Sequence, residues 1–262
     1  MAGARPRVAD VPRRERSLSI HIAPGGHGRR PRGHGALVKR EMGGANVASS
    51  PPPVDYHDYV FRDGTLIGDF DAMYRDATEA PWRQDTRCNR WSTEVGFLML
   101  KAQAPYGSIL EIGCGLGYIA AKLKALTRQG AIDGFDLSPV AIRKARSLHP
   151  GIRFYVDDIT RRSFRPQRTY DLVVMKDVAW YVLDHLNTVL QNIEACVKPQ
   201  GALYLCQSFP ALDRPFVGRE VFPNPEAVLA RMTAYTPVAT ALLYDYRQTD
   251  DGPLLHFLGN RR

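Results

Sequence analysis

Short apolar stretches alternate with helix-type patterns along residues 106–262 of the chain. The apolar stretches are almost continuous rather than interrupted by polar residues, so both of their faces should be covered by other elements. This is typical of a parallel sheet with helices on both sides. The stretches that we predict to be strands are 108–114, 131–136, 152–157, 170–176 and 202–209.

Helical periodicity fills the intervals between these strands. Ser138 followed by Pro139 is typical of an N-cap and a first helical turn. Pro199 and Gly201 should end the third helix. The predicted helices cover 119–126, 140–148, 186–197 and 224–235.

The last part of the chain departs from this alternation. Two apolar segments, 237–248 and 254–260, are joined by the turn sequence 249-TDDGP-253, which predicts a β-hairpin. One strand of the sheet should therefore run antiparallel to the rest. The whole pattern predicts an α/β, doubly wound, Rossmann-like fold with a mostly parallel sheet.

Two segments precede the first strand. Residues 1–53 are rich in Gly, Pro, Arg and Ser, and cannot bury enough apolar surface to offset their chain entropy. We predict that they form a disordered tail, that residues 54–105 form a helical lid segment, and that residues 106–262 form the ligand-binding domain. Helical spacing in the lid segment is clearest at Val95, Leu98, Met99 and Ala102.

The tail also carries most of the charge. The chain has a formal charge of +8, and residues 1–53 hold ten Lys or Arg against three Asp or Glu. The remaining residues are therefore close to neutral, which disfavours nucleic acid as a partner of the folded domain. An RNA-binding or targeting arm is the alternative function of the tail, and translation starting at Met42 would remove most of it.

Cysteine usage and hydropathy narrow the class of protein. Cys88, Cys114, Cys196 and Cys206 have no CxxC spacing, so neither a metal site nor a disulfide framework is expected. No apolar stretch approaches the roughly 20 residues that cross a bilayer, and the arginine-rich N-terminus lacks the apolar core of a secretory signal. We expect a soluble, cytoplasmic protein with no membrane partner.

The segment 109-ILEIGCGLGY-118 places an acid and three glycines at the end of the first strand. Ligands of doubly wound sheets bind there, and glycines let the backbone approach them closely. The spacing G-x-G-x-G differs from the dinucleotide fingerprint, whose last glycine would stand at Tyr118. Asp136, which ends the second strand, is suited to accept hydrogen bonds from both hydroxyls of a ribose. A ligand that contains a ribose is therefore predicted.

The same motifs resemble those of the class I S-adenosylmethionine-dependent methyltransferases. The resemblance rests on 109–118, 133-DGFDLSP-139, 157-DDI-159 and 170-YDLVVMKDV-178, which follow each other in the order and spacing of that family. It extends over roughly residues 80–260. It implies a seven-stranded sheet with an antiparallel last strand, S-adenosyl-L-methionine as the cofactor, and methyl transfer as the activity.

The resemblance also implies which residues hold the cofactor. Glu111 and the glycine loop would bind its methionine part, Asp136 its ribose and Asp158 its adenine amino group. Lys176 and Asp177 would border the transferred methyl. The implied cofactor-binding residues are Glu111, Gly113, Cys114, Gly115, Gly117, Asp136, Leu137, Asp158, Ile159 and Lys176.

Several of these residues have a structural alternative. Glu111 is alternatively a salt-bridged strand acid, although an ionised carboxylate in an apolar stretch is costly without a partner. One of the adjacent acids Asp157 and Asp158 must point elsewhere and is suited to cap a turn. Cys114 fits a small packing residue better than a nucleophile.

Methyl transfer needs an aligned acceptor and, for a hydroxyl group, a general base. Asp177 and His185 are the candidates for catalysis, because both follow the fourth strand and histidine suits proton transfer at neutral pH. His185 is alternatively a solvated or capping residue at a helix start. His256, within a strand, is predicted to be structural or exposed at an edge.

Aromatic and amide side chains close to these elements are candidates for the acceptor site, either facing the ligand or packing a lid. The motifs MYRD, PW, WYVLDHL and QSFP to FPNP resemble those of bacterial small-molecule and sugar methyltransferases. The candidates are Trp82, Trp180, Tyr181 and Gln207, followed by Trp91 and Phe209.

The sequence thus predicts a methyltransferase acting on O or N of a small molecule, such as a sugar or a natural-product intermediate. The fourth strand ends in 175-MKDV-178 rather than N-P-P-Y, which disfavours methylation of a DNA base or a glutamine amide. Two alternatives stay open. One is an RNA methyltransferase that uses the basic tail, and the other is a non-catalytic module that binds the cofactor.

Overall fold

The computed structural model describes residues 57–62, 65–213, 215–245 and 251–262, together with the backbone of Leu18–His21. The rest of residues 1–53 lies outside the described residues. The prediction of a disordered tail therefore stays a prediction, as do the boundaries proposed for the lid segment and the ligand-binding domain.

One large sheet forms the centre of the fold. Its seven main strands are β1 (Ile109–Ile112), β2 (Ile132–Asp136), β3 (Arg153–Val156), β4 (Tyr170–Lys176), β5 (Val197–Pro210), β6 (Tyr235–Tyr244) and β7 (Asp251–Arg261). They lie in the order β3-β2-β1-β4-β5-β7-β6, and the short strand Leu18–His21 pairs with β6 in parallel at the far edge. A separate two-stranded hairpin, Phe61–Arg62 with Thr65–Leu66, precedes them.

Strand β7 runs against its neighbours in this sheet. Leu258 pairs antiparallel with Tyr204 of β5 and with Ala239 of β6. The neighbouring strands among β1 to β5 instead pair in parallel. The predicted terminal hairpin and the mostly parallel, doubly wound α/β sheet are confirmed. The carboxyl ends of β1 to β4 consequently lie along one edge, where such sheets bind ligands.

Helices connect the parallel strands. The Ser138 side chain accepts a hydrogen bond of 3.1 Å from the amide of Ala141, and Pro139 is the first helical residue, so the predicted N-cap is confirmed. The main helices are α1 (Phe70–Asp76), α2 (Trp91–Lys101), α3 (Tyr118–Leu123), α4 (Pro139–Leu148), α5 (Leu186–Cys196) and α6 (Pro225–Leu229). Shorter helical turns cover His57–Val60, Pro81–Arg83, Gln84–Arg87, Lys124–Leu126, Ala179–Tyr181 and Leu183–His185.

Both faces of the sheet are buried. Leu172, Val173 and Val174 follow each other in β4 and are all at most 1% exposed. Val173 belongs to one hydrophobic cluster, whereas Leu172 and Val174 belong to another. Successive side chains of a strand point to opposite faces, so a core lies on each side of the sheet, as the continuous apolar pattern predicted.

The buried face of α2 differs from the predicted one. Its buried residues include Gly96, Phe97 and Leu100, whereas Leu98, predicted on the apolar face, is 63% exposed. A Cβ atom at Gly96 would lie 1.9 Å from the Tyr204 hydroxyl. The predicted buried face was wrong because α2 packs on the sheet through its smallest residue, Gly96. A pattern of apolar spacing does not take the size of a residue into account.

Two element boundaries also differ from the predictions. The helix predicted at 224–235 ends at Leu229, because the chain must reach β6 at Tyr235. Strand β5 begins at Val197, directly after α5, rather than near residue 202. Gln200 has a φ of 64°, and the pairing of β5 with β4 shifts register there. A bulge therefore lets β5 continue through residues that were predicted to lie before the strand.

The N-terminal segment packs over the carboxyl edge of the sheet. The Asp71 carboxylate accepts hydrogen bonds from the Ser138 hydroxyl and from the Val140 amide, at the start of α4. Tyr74 of α1 belongs to one buried cluster with Leu116 of the glycine loop. These contacts place α1 next to the loop that the sequence singled out.

Candidate functional site

A cavity of about 660 Å³ opens at the carboxyl ends of β1 to β4, beside the loop that follows β1. All of the predicted site residues except Gly115, Gly117 and Trp91 line this central cavity, although the individual roles assigned to them stay predictions. The predicted residues that line it are Glu111, Gly113, Cys114, Asp136, Leu137, Asp158, Ile159, Lys176, Asp177, His185, Trp82, Trp180, Tyr181 and Gln207.

Three glycines with positive φ shape the loop between β1 and α3. The φ angles are 67° at Gly113, 52° at Gly115 and 82° at Gly117. A Cβ atom at Gly115 would lie 2.6 Å from the side-chain oxygens of Gln84 and Tyr74. Glycine is therefore required there both for the backbone conformation and for the close contact with the N-terminal segment.

Glu111 is buried in β1 with an unsatisfied carboxylate. Its side chain is 4% exposed, and Oε2 has no hydrogen-bond partner among the described residues. Burial raises the pKa of this carboxyl well above its ordinary value, and the Ala120 backbone and the Lys176 charge offset only part of that effect. Such an atom at a cavity wall is suited to a hydrogen-bond donor or a cation on a ligand.

Asp136 connects β2 to the glycine loop. Its Oδ2 accepts a hydrogen bond of 2.9 Å from the Gly115 amide, and its Oδ1 accepts one of 2.9 Å from the Ser138 amide. Burial raises the pKa of the carboxyl, and these two amides oppose the rise. Each oxygen can still accept a further hydrogen bond, so the predicted ribose contact fits this geometry.

Asp158 is held by its own turn. Oδ1 accepts hydrogen bonds from the amide and the hydroxyl of Thr160, and Oδ2 accepts one of 3.1 Å from Arg161. Partial burial raises the pKa of the Asp158 carboxyl, but these donors hold it below its ordinary value. In this structure the contacts of Asp158 are therefore those of a residue that caps a turn. Ile159, 5% exposed, is the next residue in the cavity wall.

Lys176 and Asp177 form a partly buried ion pair at the end of β4. Asp177 has a φ of 55°, which non-glycine residues seldom adopt, and its Oδ1 accepts hydrogen bonds of 2.8 and 2.7 Å from the amide and the hydroxyl of Ser208. Burial alone would raise the pKa of Asp177, but Lys176 and Ser208 lower it, so the carboxylate is ionised at neutral pH. Its orientation in the cavity is thereby fixed.

His185 lies at the mouth of the cavity. It ends a short helical turn directly before α5, its side chain is exposed, and its ring has no hydrogen bond to any described residue. It does not cap α5, because no side-chain hydrogen bond is made at the helix start. Of its two predicted alternatives, solvated or capping, the structure shows the solvated one.

Two groups of packed aromatic side chains contribute to the cavity wall. Tyr181 packs against Phe70 and Trp82, with ring centroids 5.4 and 5.8 Å apart. Trp180 packs against Phe209 at 5.2 Å and donates a hydrogen bond of 2.8 Å from Nε1 to the Ser208 carbonyl. The acceptor candidates Trp82, Trp180 and Tyr181 are therefore also packing residues of the wall.

Gln207 and Trp91 have structural partners. The Gln207 side-chain oxygen accepts a hydrogen bond of 3.1 Å from the Ala179 amide, and Gln207 is 1% exposed. Trp91 donates from Nε1 to Asp245 at 3.3 Å and does not line the central cavity. His256, predicted as structural or edge-exposed, is fully buried, and its Nδ1 lies 2.6 Å from the Tyr204 hydroxyl.

Three residues at the site were missed in the sequence. Gln84 accepts a hydrogen bond of 2.9 Å from the Leu116 amide of the glycine loop and donates one of 2.9 Å to the Tyr74 hydroxyl. Arg87 lines the cavity and forms no ion pair with any described residue. The motifs MYRD and PWRQDTR contained all three, but nothing in their spacing relates them to a loop some 30 residues away.

In the described part of the chain, no group of three or more His, Cys, Asp or Glu is arranged to hold a metal ion. Within the same residues, no helix combines the length and apolar character needed to cross a bilayer. The four cysteines are all buried with free thiols.

Part of the chain is similar in sequence to known methyltransferases. A methyltransferase domain family matches residues 109–201, which run from β1 to the start of β5. Nodulation protein S of Sinorhizobium fredii is 29% identical over 146 residues, covering 52% of this chain and 65% of that protein. Malonyl-[acyl-carrier protein] O-methyltransferase of Bacillus anthracis is 33% identical over 97 residues, 36% of this chain and 35% of that protein. The chain thus matches less than two thirds of the length of either relative.

A solved structure shares the fold. The N-methyltransferase NodS from Bradyrhizobium japonicum, in complex with S-adenosyl-L-homocysteine, aligns with a TM-score of 0.58 and 21% identity over 73% of this chain and 97% of that chain. The matched domain contains the glycine loop, Asp136 and the Lys176–Asp177 pair. Residues 109–201 thus match a methyltransferase domain, and the chain shares the fold of a solved N-methyltransferase.

Proposed function

We propose that the protein transfers a methyl group from S-adenosyl-L-methionine to an oxygen or nitrogen atom of a small molecule. The observation that carries this proposal is the convergence of four acids on one cavity. Glu111, Asp136, Asp158 and Asp177 come from or follow four neighbouring parallel strands, and all line the central cavity. The activity, the cofactor and the acceptor are all parts of the proposal.

The residues present fit the cofactor. The unsatisfied Glu111 Oε2 suits the ammonium of its methionine part, whose charge would stabilise the ionised carboxyl. Arg87, which has no described ion-pair partner, suits the carboxylate of the same group. Asp136 would accept from the ribose hydroxyls, and Leu137, 48% exposed, would offer an apolar surface to the adenine.

The bound cofactor supplies an electrophilic methyl group, and the chain has to align an acceptor with it and exclude water. Asp177 is ionised and fixed by Ser208 and Lys176. It is therefore suited to accept a hydrogen bond from an acceptor hydroxyl or amine and orient its lone pair. Its lowered pKa makes it a weak base, so orientation is the role that we assign to it.

His185 is the group to which we assign proton removal. Its exposed ring at the cavity mouth has no hydrogen bond to any described residue, so both ring nitrogens are open to an acceptor and to solvent. A hydroxyl acceptor loses its proton to such a base as the new bond forms. A neutral amine needs no proton removal before attack.

The walls of the cavity favour an acceptor with a ring. Trp82, Tyr181 and Trp180 line the same cavity as Asp177, and the apolar face of a sugar or an aromatic ring packs on aromatic side chains. One relative named above, malonyl-[acyl-carrier protein] O-methyltransferase, is named for a small acyl group, which supports a small acceptor. A sugar or a natural-product intermediate in the cytoplasm is the acceptor class that we propose.

Calorimetry with S-adenosyl-L-methionine and S-adenosyl-L-homocysteine tests the cofactor assignment, with NADH as the control ligand. We expect both methionine-derived ligands to bind and NADH not to bind. A screen of candidate acceptors, followed by release of S-adenosyl-L-homocysteine, then tests turnover. No binding of either methionine-derived ligand would refute the proposal, and binding without turnover on any acceptor would favour a non-catalytic module.

A further inference from the structure

A second cleft adjoins the central cavity. It has a volume of about 530 Å³, and its wall shares Thr160, Asp184 and His185 with that cavity. Its remaining wall includes Arg162, after β3, and Arg231, after α6. We call this second cleft the arginine cleft. A molecule that occupies the central cavity can therefore extend past His185 into it.

The arginine cleft has an excess of positive charge. Arg162 and Arg231 are exposed, and neither makes an ion pair or a side-chain hydrogen bond with any described residue. Their neighbour Arg161 differs, because its guanidinium is paired with Asp158 at 3.1 Å. Asp184 is the one acid among the residues that line the cleft, so two permanent positive charges face one negative charge.

The segments that carry these charges are held in place. The buried Asn192 side chain of α5 donates hydrogen bonds of 2.8 and 2.9 Å to the carbonyls of Ile159 and Arg161, which fixes the turn before Arg162. On the other side, Val228 and Met232, close to Arg231 in the chain, are buried in the core at 0% and 5% exposed. The walls of the cleft are thus supported by the core.

We propose that the arginine cleft binds a phosphoryl group of the acceptor while the atom to be methylated lies in the central cavity. This proposal rests on the proposed function, which it deepens by naming the acceptor class. Guanidinium groups match the oxygens of a phosphoryl group in geometry and charge. The acceptor is then a phosphorylated or nucleotide-linked small molecule, with its ring between the aromatic walls and its anionic end past His185.

Thermal unfolding with inorganic phosphate tests the cleft without any acceptor. Succinate at the same ionic strength and about pH 8 carries a similar charge, so it serves as the carboxylate control. We expect phosphate to raise the Tm of the wild type and succinate to raise it less, since a ligand that binds the folded state stabilises it. In the double variant Arg162→Gln/Arg231→Gln the phosphate effect should disappear.

Arg143→Gln is the matched control, because Arg143 is an exposed arginine of α4 that lies outside both cavities. This variant should keep the full response to phosphate. A phosphate effect that survives in the double variant, or that is absent from the wild type, would overturn the proposal. A larger effect of succinate would overturn the phosphoryl assignment.

Binding of S-adenosyl-L-homocysteine separates this proposal from the proposed function. The double variant should bind that ligand as the wild type does, while the KM for a phosphorylated acceptor rises by about tenfold or more and the KM for its dephosphorylated counterpart changes little. Equal rises for both acceptors would contradict the cleft. Loss of cofactor binding in the wild type would contradict the proposed function but not the phosphate site.

Discussion

Asp136 and Gly115 are joined by a hydrogen bond of 2.9 Å from the glycine amide to Oδ2 of the carboxylate. The acid proposed to bind the ribose therefore also holds the loop that we propose to cradle the methionine part. One side chain serves both halves of the donor site. Its loss should damage more than one contact.

Asp136→Ala should weaken binding of S-adenosyl-L-homocysteine by about 10- to 100-fold, because hydrogen bonds to charged groups contribute roughly 1.5–3 kcal/mol each. Calorimetry measures the change directly. Asp171→Ala is the matched control, since Asp171 also accepts several hydrogen bonds but lies at the opposite end of β4, with Ser108 and Lys198. Equal losses in the two variants would show a general effect of destabilisation.

Glu111→Gln should raise the stability of the ligand-free protein and weaken its affinity for the donor. Burial raises the pKa of the Glu111 carboxyl above its unfolded value, so the folded state keeps a proton that the unfolded state has lost, and stability falls as pH rises between the two values. The variant lacks this loss. Its Tm should exceed that of the wild type by a few degrees near neutral pH, since 1 kcal/mol corresponds to about 2–4 °C.

The same residue should make donor binding release protons. A cation next to Glu111 lowers the raised pKa, so the carboxyl gives up its proton when the ligand binds. Calorimetry in buffers of different ionisation enthalpy counts the protons. Binding that is independent of the buffer in the wild type would contradict the proposed contact with the ammonium.

His185→Gln should lower kcat for a hydroxyl acceptor by about 100-fold or more and leave the affinity for S-adenosyl-L-homocysteine unchanged, because general-base catalysis typically contributes at least that factor. Asp184→Asn, at the neighbouring exposed position, is the control for local disturbance. Asp177→Asn should instead raise the acceptor KM as well as lower kcat, since Asp177 is assigned orientation. Unchanged turnover in the His185 variant would remove it from catalysis.

Gln84→Ala should weaken donor binding by about tenfold, although we assign Gln84 no contact with the ligand. Its side-chain oxygen holds the Leu116 amide of the glycine loop at 2.9 Å, and a hydrogen bond of this kind contributes about 1 kcal/mol or somewhat more when buried. Tyr74→Phe removes only the hydroxyl that Gln84 donates to and should have a smaller effect. Calorimetry that ranks the variants in the reverse order would contradict this arrangement.

His256→Gln should reduce the loss of stability in mild acid. Burial lowers the pKa of His256 to about 4 from an ordinary 6.5, so the unfolded chain takes up a proton that the folded protein refuses as pH falls through this interval. Stability contributed by the neutral ring is present above 6.5 and lost toward 4. The fall in Tm between about pH 7 and pH 5 should be smaller in the variant than in the wild type.

The sequence predicted the centre of the fold because its information is local there. A continuous apolar strand such as 170–176 predicts a sheet buried on both faces, and Ser138 followed by Pro139 predicts the start of a helix. Both predictions are independent of the rest of the chain. The same holds for the glycine loop and Asp136, whose spacing alone relates them to one ligand. The side chains predicted from motif order accordingly line one cavity.

Contacts between distant segments of the chain could not be predicted from local sequence patterns. Gln84 and Tyr74 meet the glycine loop only through the docking of α1 on α4, and no local pattern reports that docking. The buried face of α2 depends on how closely Gly96 approaches Tyr204, which apolar spacing cannot express. The bulge at Gln200 likewise follows from pairing with β4 and not from the residues themselves.

Gln84 and Trp82 belong to one short stretch of chain that reaches two different places. Gln84 is bonded to the donor loop, and two residues earlier Trp82 forms part of the aromatic wall beside Tyr181. Any shift of this stretch when one ligand binds alters the surface offered to the other. By thermodynamic reciprocity, donor and acceptor should then change each other's affinity by the same factor, so the two sites of the enzyme we propose would be energetically coupled.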